Sequence, residues 1–323
     1  MRIYGLDFTS NPTPRKRITL AKCLLDTHVH TLTVESLVPL NAAADGDFSG
    51  FENWLNDKVT YGKEWVGGID FPFGMPVAAV QYFQWLNAGE PESWEGVIDR
   101  IFATCPEIDD FRDKVESWKK CGRDPENEKR VFLPRFTDTV SGFAGSSPSS
   151  PMKVSTQCNP PVGRMLYRGA NILRHSTVCV QPVRRNESSR VVIEAYPRLV
   201  ADKVSPGIKY KDGGPALGDS REQILAGLAA DPRPYGLSVQ FRCDEDRALC
   251  INDNTGDVID SVLSAVQAAW SYTQEMAALE AEQQGVPRKQ SYGVPEFSLS
   301  CLRQQVSLEG WIVDPLLLSS TTP

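Results

Sequence analysis

An α/β fold, a mixed sheet flanked by helices, is what this sequence predicts, and three observations predict it. Apolar segments rich in strand formers open the chain at hairpin spacing. Strand-like and helical segments then alternate, the pattern of crossover connections in a mostly parallel sheet. Acidic residues stand at the ends of the apolar segments, where open α/β sheets carry their sites. Asp7 closes MRIYGLDF, Asp70 closes the strand of EWVGGIDFPFGMP, Glu194 lies in RVVIEAYP, and Asp257 and Asp260 open GDVIDSVLSAVQAAW.

RIYGLDF, ITLAKCLLD and HTLTVESLVPL read as three strands, the first two joined by the Pro-containing turn NPTPRKR. GFENWLNDKVTYG reads as a short helix with Phe51, Trp54, Leu55 and Val59 on one face. EWVGGIDF is a fourth strand, broken by Pro72, Gly74 and Pro76, and VAAVQYFQWLN is a helix. Residues 91–122 are helical in pattern, and 122–161 form a long irregular stretch rich in Ser, Gly and Pro. The span 91–161 therefore reads as an insertion in a single domain. Its irregular part is long enough to close over a substrate. PVGRMLYRGANILRHS is a helix with Pro161 near its start. VCVQPV and RVVIEAYP are strands, and EGWIV near the end is strand-like. Residues 205–256 show no clear pattern beyond a helical REQILAGLAA. NTGDVIDSVLSAVQAAWSYTQEMAALEAE is the clearest helix, with Thr255 or Asp257 as its cap.

Of the 323 residues, 41% are hydrophobic, enough for a sizeable core. The net charge of -7 argues against broad coating of nucleic acid, which needs a basic face, but leaves room for a local basic groove. The eight cysteines form no C-x-x-C pair, so no zinc site is indicated, and their scatter fits a reducing compartment. No apolar leader core and no 18-residue apolar run is present. A cytoplasmic protein without a membrane span is the expectation.

Acids are rarely buried without a partner or a metal. If the strands ending in Asp7 and Asp70 are parallel neighbours, their ends lie roughly 5 Å apart. Asp257 and Asp260 are one helical turn apart, so one of them can join the pair. Without cations such carboxylates repel and their pKa values rise. With Mg²⁺ or Mn²⁺ they become hard oxygen ligands, and two such ions can drive phosphodiester hydrolysis.

The carrying segments YGLDFTSNPTPRKRITLA, GGIDFPFGMP, PPVGRMLYRGA, IEAYPRLVA with the later YKD, and GDVIDSVLSAVQAAW span Tyr4 to Trp270. Together they resemble the DUF429 family of predicted nucleases, within the ribonuclease H-like superfamily. The resemblance implies a five-stranded mixed sheet flanked by helices and a metal-dependent nuclease activity. It implies Asp7 as the first-strand acid, Asp70 as the fourth-strand acid and Asp260 as the acid of the final helix, with Asp257 as its competitor. Glu194 matches the family's E-x-YP segment and is a candidate fourth ligand or water-orienting base. That position departs from the superfamily pattern, in which the extra Glu lies on the first helix, where Glu52 stands here.

Other residues carry weaker signals. Glu194 has a structural alternative, pairing with a buried Arg such as Arg164. Arg164 and Arg168, four apart on one helix, either hold a phosphate by bidentate contacts or form a solvated face. Lys209 and Lys211 flank Tyr210, a trio suited to gripping a nucleotide backbone and stacking a base, though loop lysines are more often simply solvated. Arg15, Lys16 and Arg17 form a basic hairpin tip. His28 and His30 share a strand face as H-x-H but lack further ligands, so a metal pair there is disfavoured. Neither a G-x-S-x-G elbow nor a Walker loop nor G-x-G-x-x-G occurs. The leading expectation is a Mg²⁺- or Mn²⁺-dependent hydrolase of nucleic acid or nucleotides. Its rivals are an actin-like phosphotransferase, which would need glycine-rich phosphate turns, and a non-catalytic binding protein that kept the fold.

Overall fold

The structure, a computed structural model, describes residues 1–14, 16–40, 44–86, 92–121, 133–140, 150–155, 161–211, 213–233 and 235–320. Arg15 and most of the stretch 122–161 lie outside the described residues. The strands of the main sheet are β1 (Arg2–Asp7), β2 (Thr19–Asp26), β3 (Thr31–Pro39), β4 (Trp65–Asp70), β5 (Cys179–Val180), β6 (Arg190–Glu194) and β7 (Ser238–Phe241). Among the described residues they form one sheet in the order β5-β6-β4-β1-β2-β3-β7, two strands more than expected. β1, β2 and β3 are antiparallel neighbours, whereas β4 runs parallel to β1 and β6 parallel to β4. β5 and β7 extend the two edges. β7 comes from the unreadable region 205–256, which also holds the helices Gly218–Ala230 and Asp244–Asn252.

Helices cover both faces. On one, Leu6, Leu20 and Ile69 pack with Trp54, Trp65 and Phe71 under the helices Trp94–Thr104, Ile108–Cys121 and Val162–His175. On the other, Ile3, Ala21, Val66 and Ile193 meet the helices Pro197–Val204, Gly218–Ala230 and Asp257–Gln283. The last of these lies against the centre of the sheet because two strand residues lack a side chain. A Cβ on Gly5 of β1 would stand 2.0 Å from the Ser261 carbonyl oxygen, and one on Gly68 of β4 would stand 2.3 Å from that of Ser264. Both distances are far inside van der Waals contact. Among the described residues, no helix is long and apolar enough to cross a membrane.

Several local expectations are corrected. The first helix breaks into Ser49–Asn56 and Lys58–Tyr61, because the Asp57 carboxylate accepts the N–H groups of Val59 and Thr60 and starts a new turn. Val59 is consequently exposed. His28 and His30 fall in the β2–β3 turn, not on a strand face, and both are exposed. The long helix starts after Gly256 at φ +83°, with the Asp253 carboxylate accepting from Val258 N–H and Thr255 Oγ1 from Asp257 N–H. The tail EGWIV forms no strand: the helix Ser300–Glu309 ends there, and only Ile312 bridges to Glu194. The described parts of 122–161 are core rather than cover, since Arg135, Thr137, Met152 and Val154 are buried.

Candidate metal centre

β1 and β4 alternate their side chains in step. Gly5 is level with Gly68, and Asp7 with Asp70. Residues two apart on a strand share a face, so each aspartate projects just beyond the glycine that lets the long helix approach. Asp260 lies in the first turn of that helix, one turn before Ser264. Asp7, Asp70 and Asp260 each offer a carboxylate oxygen, and these oxygens lie within 4.8 Å of one another. Oxygens on opposite sides of a hard cation stand at about twice its bond length, roughly 4–5 Å. Three carboxylate oxygens at this spacing could together hold a hard cation.

Asp257 stands apart from the three. It is half-buried, and it lines an adjacent cavity of about 470 Å³ together with Asp7 and Asp70. Lys211 forms an ion pair with Asp260, and the Tyr210 hydroxyl donates to the other Asp260 oxygen at 2.9 Å. Tyr210 is buried, so its ring is not a stacking platform, while Lys209 is exposed at the rim of a second cavity of about 230 Å³. The Lys211 ammonium therefore stands at one of the three carboxylates.

Burial raises the Asp7 carboxyl well above its ordinary range, and Asp257, Asp260 and Asp70 add to the rise. Asp70 is pushed up to about 8 by burial and then by Asp260. Asp260 is raised by burial, against the opposing pull of Lys211 and Tyr210. Burial alone would lower the Lys211 ammonium, but Asp260, Asp7 and Asp70 outweigh it and hold the group above its usual value. Like charges are thus crowded beyond what one lysine neutralises.

Glu194 does not join the three carboxylates. It is level with Ile69, one residue before Asp70, so it projects from the opposite face of the sheet. There it makes a bidentate pair with Arg135, at 2.7 and 2.9 Å, and accepts the Phe73 N–H at 3.0 Å. Its buried arginine partner is Arg135, not Arg164. Arg164 bonds the Val154 carbonyl and Asp109, and Arg168 lies over the Tyr167 ring. Neither lines the cavities beside the carboxylates. Met165 does, and neighbouring helix positions point about 100° apart. Glu52 lies on the first helix and is exposed, outside the group of three.

Sequence reasoning missed Arg135, which is fully buried and also donates to Asp138 at 3.1 Å. It also missed the role of Gly5 and Gly68. The signal for the glycines was present as G-x-D in both strands. Comparison with models of known protein families, with curated proteins and with solved structures finds no match.

Proposed function

We propose that this chain is a metal-dependent phosphodiester hydrolase of the ribonuclease H-like kind, acting on a nucleic acid or nucleotide. Asp7, Asp70 and Asp260 hold Mg²⁺ or Mn²⁺. The observation that carries the reading is the convergence of these three carboxylates from two adjacent parallel strands and a helix start. Three antiparallel opening strands followed by parallel β4 and β6 support the ribonuclease H-like core, and with it the resemblance to the DUF429 family.

When bound, a divalent ion at these oxygens supplies the positive charge that activates water and stabilises the leaving oxygen. The water oxygen bonds to phosphorus and gives up a proton, the P–O bond to the leaving oxygen breaks, and the leaving oxygen takes up that proton. Asp7 and Asp70 orient the reacting centre from the strand ends. Lys211 lines both adjacent cavities and faces a phosphate held between them. Asp257 stands at the edge of the same centre.

The test measures Mn²⁺-dependent cleavage of DNA and RNA substrates together with calorimetric Mn²⁺ binding. Asp7→Asn and Asp70→Asn are expected to abolish both while circular dichroism shows an intact fold. Full activity in both variants would overturn the reading. Thermal stabilisation by ATP with Mg²⁺ would favour a phosphotransferase instead. An unaltered protein that binds no Mn²⁺ would favour a binding protein, whose Lys211 is the resident counter-charge.

A further inference from the structure

The backbone that carries Lys211 is held from two sides. Tyr210, just before it, is buried, and its carbonyl accepts from Arg221 Nη1 at 2.9 Å. Arg221 is itself fully buried and also donates to the carbonyls of Ile251 at 2.7 Å and Gly214 at 3.2 Å. From the other side, the start of the long helix presses on the same segment. A Cβ on Gly256 would stand 3.0 Å from Lys211 Cγ and 3.3 Å from the Tyr210 carbonyl oxygen. A solvated lysine that merely met an acid would need neither support.

The head of the side chain is placed differently from its root. The Lys211 side chain is 35% exposed, whereas that of Asp260 is 2% exposed. An ammonium on a flexible four-carbon stem can turn while the backbone stays fixed. Two positions are open to it. One is on Asp260, whose second oxygen takes the Tyr210 hydroxyl. The other is in the cavities on either side of the carboxylates, both of which Lys211 lines. A divalent cation at the three carboxylates would meet the ammonium at Asp260 as a like charge at close range. A phosphate in either cavity would meet it as an opposite charge.

We infer that Lys211 is a switch between metal and substrate: without metal it is the counter-cation of Asp260, and with metal it turns into the cavities and pairs with the substrate phosphate. Metal and phosphate then favour the same position of one side chain, so each strengthens the binding of the other. The inference rests on the hydrolase reading above and deepens it by naming the residue that couples metal loading to substrate binding.

The test is calorimetry on the full chain. Mn²⁺ is titrated into the parent, Lys211→Met and Lys211→Gln, and adenosine monophosphate is then titrated into each with Mn²⁺ present. Both variants are expected to bind Mn²⁺ at least about tenfold more tightly, because a unit charge beside a dication is gone. Both are expected to bind the nucleotide at least about tenfold more weakly, the worth of one charge-assisted hydrogen bond. The opposite signs separate a switch from a merely structural lysine, whose loss would weaken both. Mn²⁺ affinity that is unchanged or weaker in both variants overturns the inference and leaves the hydrolase reading standing. Nucleotide affinity that is unchanged in both overturns the phosphate position. If the parent and both variants bind no Mn²⁺, the hydrolase reading falls and the inference with it.

Discussion

Two groups of buried acids lie on opposite faces of the same sheet edge, and they are built on opposite principles. Around Arg135, every acid is answered. The guanidinium pairs with Glu194 and Asp138, and Glu309 accepts the N–H groups of Phe136 at 2.6 Å and Val77 at 2.7 Å. On the other face, Asp7, Asp70 and Asp260 confront one another across 4.8 Å or less, and Lys211 is their paired cation. Burial alone therefore does not mark a functional acid in this chain. The mark is a buried acid that faces other acids with too little counter-charge, which costs stability unless a ligand supplies the rest.

The largest effect is expected where the answered group is broken. Arg135→Met strands Glu194 and Asp138 without their cation, and removing one partner of a buried pair costs about 3–5 kcal/mol. Urea unfolding should show the loss, and a variant as stable as the parent would remove the contrast. Next comes Gly5→Ala. Its new methyl meets the backbone of Ser261 and Ala265, and such overpacking costs roughly 1–3 kcal/mol. Because the long helix must lift, Mn²⁺ binding should weaken although every carboxylate remains. Unaltered binding would mean that the close approach does not build the site.

A smaller, sign-based contrast comes from matched amide substitutions. Glu194→Gln leaves Arg135 short of a charge partner and should lower stability by about 1–3 kcal/mol. Asp70→Asn removes a repelled carboxylate and should leave the metal-free protein as stable or more so. Melting both variants in a chelator tests the pair, and a shared sign would erase the distinction.

The last contrast is in pH. Burial and then Asp260 push Asp70 up to about 8 in the folded chain from an ordinary 3.8, so between those values the folded state binds more protons than the unfolded one. Metal-free stability should therefore fall as pH rises from about 4 to about 8. Mn²⁺ must displace those protons, so its affinity should rise across the same window. Stability that climbs through this range without metal would contradict the repulsion.

The glycine-acid pairs show how far the chain could be read unaided. Asp7 and Asp70 end apolar runs, and those runs are the adjacent parallel strands β1 and β4. Asp260 was legible because the helical period of Asp257–Gln283 is strong and places it in the first turn. The four opening strands were readable for the same reason, since alternation and turn residues are local signals. Glu194 was misplaced by one residue of register. In a strand, one residue decides the face, and register belongs to the partner strand rather than to the segment itself. Arg135 was invisible because two of its partners, Glu194 and the Glu309 carbonyl, lie 59 and 174 positions away, and its local pair with Asp138 reads in sequence like an ordinary i,i+3 ion pair.

The sequence by itself determined the opening strands, the long acidic helix and the acids at their ends, because periodicity and end position are local properties of a chain. Tertiary structure alone decided which acids meet. It brought Asp260 onto Asp7 and Asp70 through the bare backbone of Gly5 and Gly68, placed Lys211 among them, and sent Glu194 to Arg135. The physical reason is that burial and charge pairing are properties of neighbours in space, and those neighbours come from distant parts of the chain.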